Sequence, residues 1–253
     1  TRRNVTMARP VATEACRRAR NGPEFVARVF EETGIALDVI SPAEEARLAV
    51  LGCQSLLDED DSPALIFDIG GGSTELVLLD RSAEGRGEIA GWVSVPWGVV
   101  SLAETEPHEH GTAEARREAY MRMHGRVRQI VSDFALTASI DWSRLQLLGT
   151  SGTVTTLASL HLDLPAYDRR KVDGCTVPST AMRSISTELS SQSVKERAAH
   201  ACIGHERADL VVAGCAILEA ILDSWPAERL KVADRGIREG ILRSMMARDG
   251  HQF

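Results

Sequence analysis

The chain has 253 residues, 43% of them hydrophobic and 26% charged, with a net charge of −7. That length holds one large domain or two moderate ones around a real core, and the acidic balance, with both signs interspersed, argues against a surface for nucleic acid. No apolar run approaches the roughly 18 residues of a membrane span, and the opening TRRNVTMARP lacks the apolar stretch of a secretory signal, so the expectation is a cytoplasmic protein with no membrane partner.

Val5 to Thr13 reads as a strand, weakened by Pro10. Pro23 opens a helix in which Phe25, Val26, Val29 and Phe30 recur at helical spacing, and Gly34 stops it. A short strand, IALDVI, leads to Ser41, Pro42 and Glu44. A hydroxyl cap, a proline at the first helical position and an acid three residues beyond the cap predict a capping box and a helix to Leu57. DEDDSP, residues 58–63, is polar, acidic and ends in proline, and reads as a linker between lobes. Strands ALIFDI, ELVLLD and EIAGWVSV follow, then a helix over 112–138, a strand LQLLG, helices over 178–191 and 207–223, a strand RLKVAD and a closing helix over 237–248. Hairpin-like strands first and helices later predict an α/β fold with a mixed sheet.

Cys16, Cys53, Cys175, Cys202 and Cys215 are odd in number and lack C-x-x-C spacing, which reads as reduced thiols packed as small core residues. His108 and His110 flank a glutamate in an acidic, turn-rich stretch. A solvated loop is the reading of that stretch, with a metal site as the lesser alternative.

The chemistry concentrates in FDIGGGSTELVLLD, residues 67–80. Three glycines between two strands remove every Cβ from the turn, which permits positive φ and close approach to a ligand. Successive amides in such a turn form an anion nest, here Gly70, Gly71 and Gly72, with hydroxyl donors on Ser73 and Thr74. Asp68 and Glu75 flank that nest. Acids beside a phosphate site make sense when a divalent cation lies between them, and Mg²⁺ shares one or two carboxylates with phosphate oxygens. A second strand–glycine–hydroxyl loop, Gly149, Thr150, Ser151, Gly152 and Thr153, precedes an apolar helix, and a helix N-terminus is a ready anion site. The competing readings are an unliganded hairpin turn for the first loop and a plain helix cap for the second.

These pieces resemble the exopolyphosphatase/guanosine pentaphosphate phosphohydrolase (Ppx/GppA) family. VATEACRRARN, ISPAEEARL, FDIGGGSTELV, VPWGVVSLAE, LGTSGTVTTLA, ERADLVVAGCAIL and DRGIREGIL occur in family order along nearly the whole chain. The resemblance implies two ribonuclease-H-like lobes of the actin, acetate kinase and heat-shock ATPase superfamily, with an active-site cleft between them. It implies cation-dependent hydrolysis of a terminal phosphoanhydride, Mg²⁺ being the expected ion, with inorganic polyphosphate or guanosine pentaphosphate as substrate. Matching the motifs residue by residue, it makes Glu45 the group that activates water, Arg17 a phosphate-binding catalytic residue, and Asp68 and Glu75 the metal ligands. Arg238 and Glu239 are expected to form a structural pair. A homodimer is implied by the resemblance alone. The family's first phosphate loop, of the type D-x-G-T-N-S, has no counterpart from Thr1 onward, and the chain ends soon after REGIL. Residues 1–62 are therefore expected to be the second half of lobe one and 63–253 lobe two, with the final helix, 237–248, packing back on lobe one, as in the short form without an HD-type domain. A polypeptide that began at Thr1 would be expected to be poorly soluble or inactive, and an upstream extension bearing a D-x-G-T-N-S-like loop to restore turnover. A polyphosphate or alarmone sensor without turnover, and an ATP-handling kinase relative, are the alternatives.

Overall fold

The computed structural model describes residues 5, 7–81, 88–108, 111–137 and 142–250. In chain order the elements are β1 (Val11–Ala12), α1 (Glu14–Arg18), α2 (Gly22–Thr33), β2 (Asp38–Val39), α3 (Pro42–Cys53), β3 (Ala64–Ile69), β4 (Thr74–Asp80) and β5 (Glu88–Val95). They continue with α4 (Val99–Thr105), α5 (Ala113–Ala135), β6 (Gln146–Thr150), α6 (Gly152–His161), α7 (Arg169–Val172), β7 (Thr176–Pro178) and α8 (Ser179–Ser191). The last are α9 (Val194–Ala198), α10 (Val211–Ser224), β8 (Arg229–Ala233) and α11 (Ile237–Arg248). Among the described residues the strands form a parallel pair, β1–β2, and a six-stranded sheet in the order β5-β4-β3-β6-β8-β7. β3, β6 and β8 run parallel through its centre, with β4 and β5 antiparallel on one side and β7 antiparallel on the other. This is the α/β fold with a mixed sheet that the element pattern predicts. No helix among the described residues is long and apolar enough to cross a membrane.

Side chains alternate across a strand, and both faces of this sheet are covered. Leu65, Phe67, Leu76, Leu78, Leu147, Leu230 and Val232 point into the larger core, against α5, α6, α8 and α10. α10 is apolar on all sides because its neighbours surround it: Val211 to Leu218 are all buried. Ala64, Ile66, Val77, Leu79, Leu148 and Ala233 point the other way, onto Ala46, Val50 and Cys53 of α3. α11 lies along α3, and bare backbone allows the approach. A Cβ on Gly240 would stand 1.9 Å from the Leu48 carbonyl oxygen, and one on Gly52 would stand 2.1 Å from that of Gly236.

Several local readings need correction. The first strand shrinks to Val11–Ala12, because its partner among the described residues offers two rungs, Val11 with Asp38 and Ala12 with Val39. α2 forms where expected, but Phe25 and Phe30 are about half exposed, at 49% and 56%. At α3 the Ser41 hydroxyl accepts from the Glu44 amide, whereas the Glu44 carboxylate turns to Arg47 and Arg9 instead of completing the box. α4, α9 and β7 carry too few residues for periodicity to reveal them. The acidic stretch after α3 is tied down: Gln146 holds the Asp58 amide and the Asp60 carboxylate, and Lys231 pairs with Asp58. His108 is buried, not solvated: Nε2 donates to the Ser190 carbonyl at 2.9 Å and Nδ1 accepts from Arg197 at 3.3 Å. His110 lies outside the described residues. The cysteines are free thiols, with Cys53 and Cys215 buried and Cys16, Cys175 and Cys202 half-buried.

Candidate active site

The strand alternation that builds the core also gathers the acids. On the face covered by α3, Asp68 pairs in register with Glu75 of β4 and with Thr150 of β6, and Glu75 pairs with Ser94 of β5. This row crosses the sheet where the parallel strands end, which is where open α/β sheets bind ligands. Glu45, buried in the first turn of α3, faces the same row. Burial, then the charges of Glu75 and Glu45, push the half-buried Asp68 carboxyl up to about 7. Burial also raises Glu75, although Ser73 and Ser94 donate hydroxyl hydrogen bonds to its Oε1 at 2.7 and 2.9 Å.

Arg17 sits against Glu45, its Nη1 2.8 Å from Oε2. The same nitrogen donates to the Ile40 carbonyl at 2.7 Å, and Nη2 pairs with Glu14 at 3.1 Å. Most of its donors are thus committed to the protein, to Glu45, Ile40 and Glu14. Sequence reasoning passed over Glu14, which packs on the first loop: a Cβ on Gly72 would lie 2.9 Å from Glu14 Cγ.

The three glycines do not use the positive φ their run permits: among the described residues Gly70, Gly71 and Gly72 are absent from the positive-φ set. Their carbonyls face the first turn of α4. Val99 donates to Gly70, Val100 and Ser101 to Gly71, and the Ser101 hydroxyl to Gly72. In a trans peptide the next N–H points opposite to the carbonyl, so the amides of Gly71, Gly72 and Ser73 turn away from α4. Among the described residues these amides have no protein partner. The hydroxyls do not join them: Ser73 is held by Glu75, and buried Thr74 donates to the Trp97 carbonyl.

In the second loop Gly149 is a packing residue, since a Cβ there would stand 2.5 Å from Phe67 Cζ. Ser151 adopts φ 134°, a strained conformation for an L-residue, at the cap of α6. The amides of Gly152 and Thr153 open that helix without intrahelical acceptors. A cavity of about 210 Å³ separates the loops, with Gly70 and Gly71 on one side, Gly152, Thr153 and Thr156 on the other, and Arg207 at its margin. A second cavity, of about 300 Å³, holds Asp68, Thr150, Ser151 and Gly152 against residues 234–238. Its lining includes a third strand–glycine–helix turn, Asp234-Arg235-Gly236, which sequence reasoning passed over although RLKVADRGIREG has the same form as the second loop. Glu239 is not paired with Arg238; it receives the Gly236 amide at 2.9 Å and pairs with Arg169 at 3.2 Å.

Among the described residues no three His, Cys, Asp or Glu converge as a closed metal cage. The hard-oxygen set of Asp68, Glu75 and the Thr150 hydroxyl instead suits a cation that takes one or two carboxylates and fills its shell with water and substrate oxygens. The raised Asp68 carboxyl, crowded by two other acids, is the electrostatic deficit such a cation would offset.

Residues 1–249 match the model of the Ppx/GppA phosphatase family. Exopolyphosphatase 2 of Mycobacterium tuberculosis is 30% identical over 251 residues, covering 94% of this chain and 74% of that protein. The crystal structure of the Aquifex aeolicus member of the Ppx/GppA family is 29% identical and superposes with a TM-score of 0.78, covering 96% of this chain and 75% of that one. An exopolyphosphatase from Cytophaga hutchinsonii superposes with a TM-score of 0.83 at 26% identity, covering 99% of this chain and 78% of that one.

Proposed function

The chain belongs to the Ppx/GppA phosphatase family, and on that premise we propose that it hydrolyses terminal phosphoanhydrides, releasing inorganic phosphate from inorganic polyphosphate, guanosine pentaphosphate or both. The observation that carries this reading is Asp68, set between two amide-lined glycine loops at the ends of parallel strands. Loose transition states of phosphoryl transfer need positioning and charge neutralisation above all. The free amides of Gly71, Gly72 and Ser73, with those of Gly152 and Thr153, offer donors to non-bridging oxygens. Glu45, oriented by Arg17, takes the proton of the attacking water. The new P–O bond forms as the bridging P–O bond breaks, which frees phosphate and shortens the chain by one unit. Asp68 and Glu75 would hold Mg²⁺, which supplies Lewis-acid stabilisation when bound.

The division into lobes 1–62 and 63–253 belongs to the same proposal. Separation of β1–β2 from the larger sheet supports it, while the packing of α3 on that sheet makes α3 a bridge between the two parts. A cytoplasmic location and a homodimer are likewise proposals from family membership. The test is phosphate release from each substrate with Mg²⁺. Glu45→Gln should lower kcat by about 10²–10⁴ with substrate binding kept, the usual worth of a positioned base. Binding of both substrates without phosphate release would replace hydrolysis by sensing.

A further inference from the structure

The cavity at the strand ends is lined by Asp68 and the second glycine loop and by the turn from β8 into α11. Two of the charged side chains on that turn are already matched. Asp234 accepts from the Tyr167 hydroxyl and pairs with Arg169 at 3.2 Å, and Arg235 pairs with Asp173 at 2.8 Å. Arg238 is different. It is exposed, lines the cavity, and among the described residues makes no ion pair and no side-chain hydrogen bond. Its position is also electrostatically adverse, in the first turn of α11, where the helix dipole disfavours a cation. Its backbone is nevertheless fixed, because Gly52 of α3 and Gly240 of α11 bring the two helices together with no room for a side chain between them. A guanidinium held in an unfavourable place, near Glu239 but with no ion pair or side-chain hydrogen bond among the described residues, and lining an anion cavity, is a local rule broken where a ligand would restore it.

We propose that Arg238 is a substrate-binding residue of this cavity, which it lines together with Asp68, gripping non-bridging oxygens of the phosphate chain. The planar fork of a guanidinium matches two phosphate oxygens at once, and a lysine keeps the charge but loses the fork. The assignment rests on the cavity being the phosphoanhydride site, and the experiment separates the two. Tripolyphosphate with Mg²⁺ is titrated calorimetrically into wild type, Arg238→Gln, Arg238→Lys and Asp68→Asn, alongside melting temperatures and steady-state phosphate release. Arg238→Gln should weaken tripolyphosphate binding and raise KM roughly tenfold or more, the scale of a lost charge-assisted pair, with kcat little changed and the melting temperature unaltered. Arg238→Lys should recover part of the affinity. Wild-type binding and KM in Arg238→Gln, while Asp68→Asn abolishes turnover, would overturn the role of Arg238 and leave the cavity reading standing. A fall in melting temperature in Arg238→Gln that accounts for the lost binding, with no recovery in the lysine variant, would also overturn it. Full turnover in Asp68→Asn would overturn both.

Discussion

At Asp68, burial and two neighbouring acids push the carboxyl up to about 7. An acid whose folded value lies above its unfolded value, about 3.9, binds its proton more tightly when folded. Its contribution to stability is whole below the unfolded value and is lost as pH rises towards 7. In cation-free buffer the melting temperature of the wild type should therefore fall between pH 4 and pH 7 more steeply than that of Asp68→Asn; parallel curves would contradict the crowded-carboxylate description. Ser151 is the other strained residue, at φ 134°. Ser151→Gly relieves a conformation that costs about 1–3 kcal/mol and gives back part of that as chain entropy and a weak cap. A net gain of about 1 kcal/mol is expected in chemical denaturation, and a net loss would show the backbone there to be unstrained. These two residues also mark what was readable in advance. Asp68 stood out because an acid beside three glycines is chemically odd, whereas nothing in G-T-S-G-T tells which residue takes the strained φ.

α8 ends against a polar cluster that satisfies its last carbonyls. His108 donates to Ser190, Arg116 to Ser191, and Arg197 to Gln192. Burial and the Arg197 charge push His108 down to about 4. A histidine held neutral when folded loses stability as pH falls from its unfolded value, about 6.5, towards 4. Acid unfolding should thus set in at lower pH in His108→Gln, which cannot titrate; an unchanged acid limb would contradict the assignment. His108→Ala leaves a buried carbonyl and an Arg197 donor unmatched, and should cost about 2–3 kcal/mol in denaturant titration. At the α3–α11 crossing, Gly240→Ala places a Cβ 1.9 Å from the Leu48 carbonyl oxygen. It should cost about 1–3 kcal/mol, as overpacking does, and lower turnover as well, because α3 carries Glu45 and α11 carries Arg238. Normal stability and normal turnover in that variant would show the crossing to be loose. The helices with clear periodicity or caps were legible beforehand, but the glycine contacts that seat this crossing were not, since glycine in a helix reads only as a weak helix former.

Across the whole molecule, the apolar runs in ALIFDI and ELVLLD read as strands, and the structure covers both of their faces, one with α5, α6, α8 and α10 and the other with α3. What the sequence did not disclose is register. That Asp68 lies beside Glu75 and Thr150, with Glu45 over them, depends on contacts with residues 7, 82 and 23 positions away in the sequence, and the two longer ones cannot be read from local pattern. The third loop was missed for the same reason: Asp234-Arg235-Gly236 joins the site only because β8 pairs with β6. The account therefore stands on one claim, that a phosphoanhydride is cleaved where these strand ends meet, with Asp68 holding the cation the acids require. The direct measurement is phosphate release from inorganic polyphosphate across a Mg²⁺ titration, in wild type and in Asp68→Asn. Release that saturates with Mg²⁺ in the wild type and is absent from a folded Asp68→Asn is the expected result, and equal release from the two proteins would contradict it.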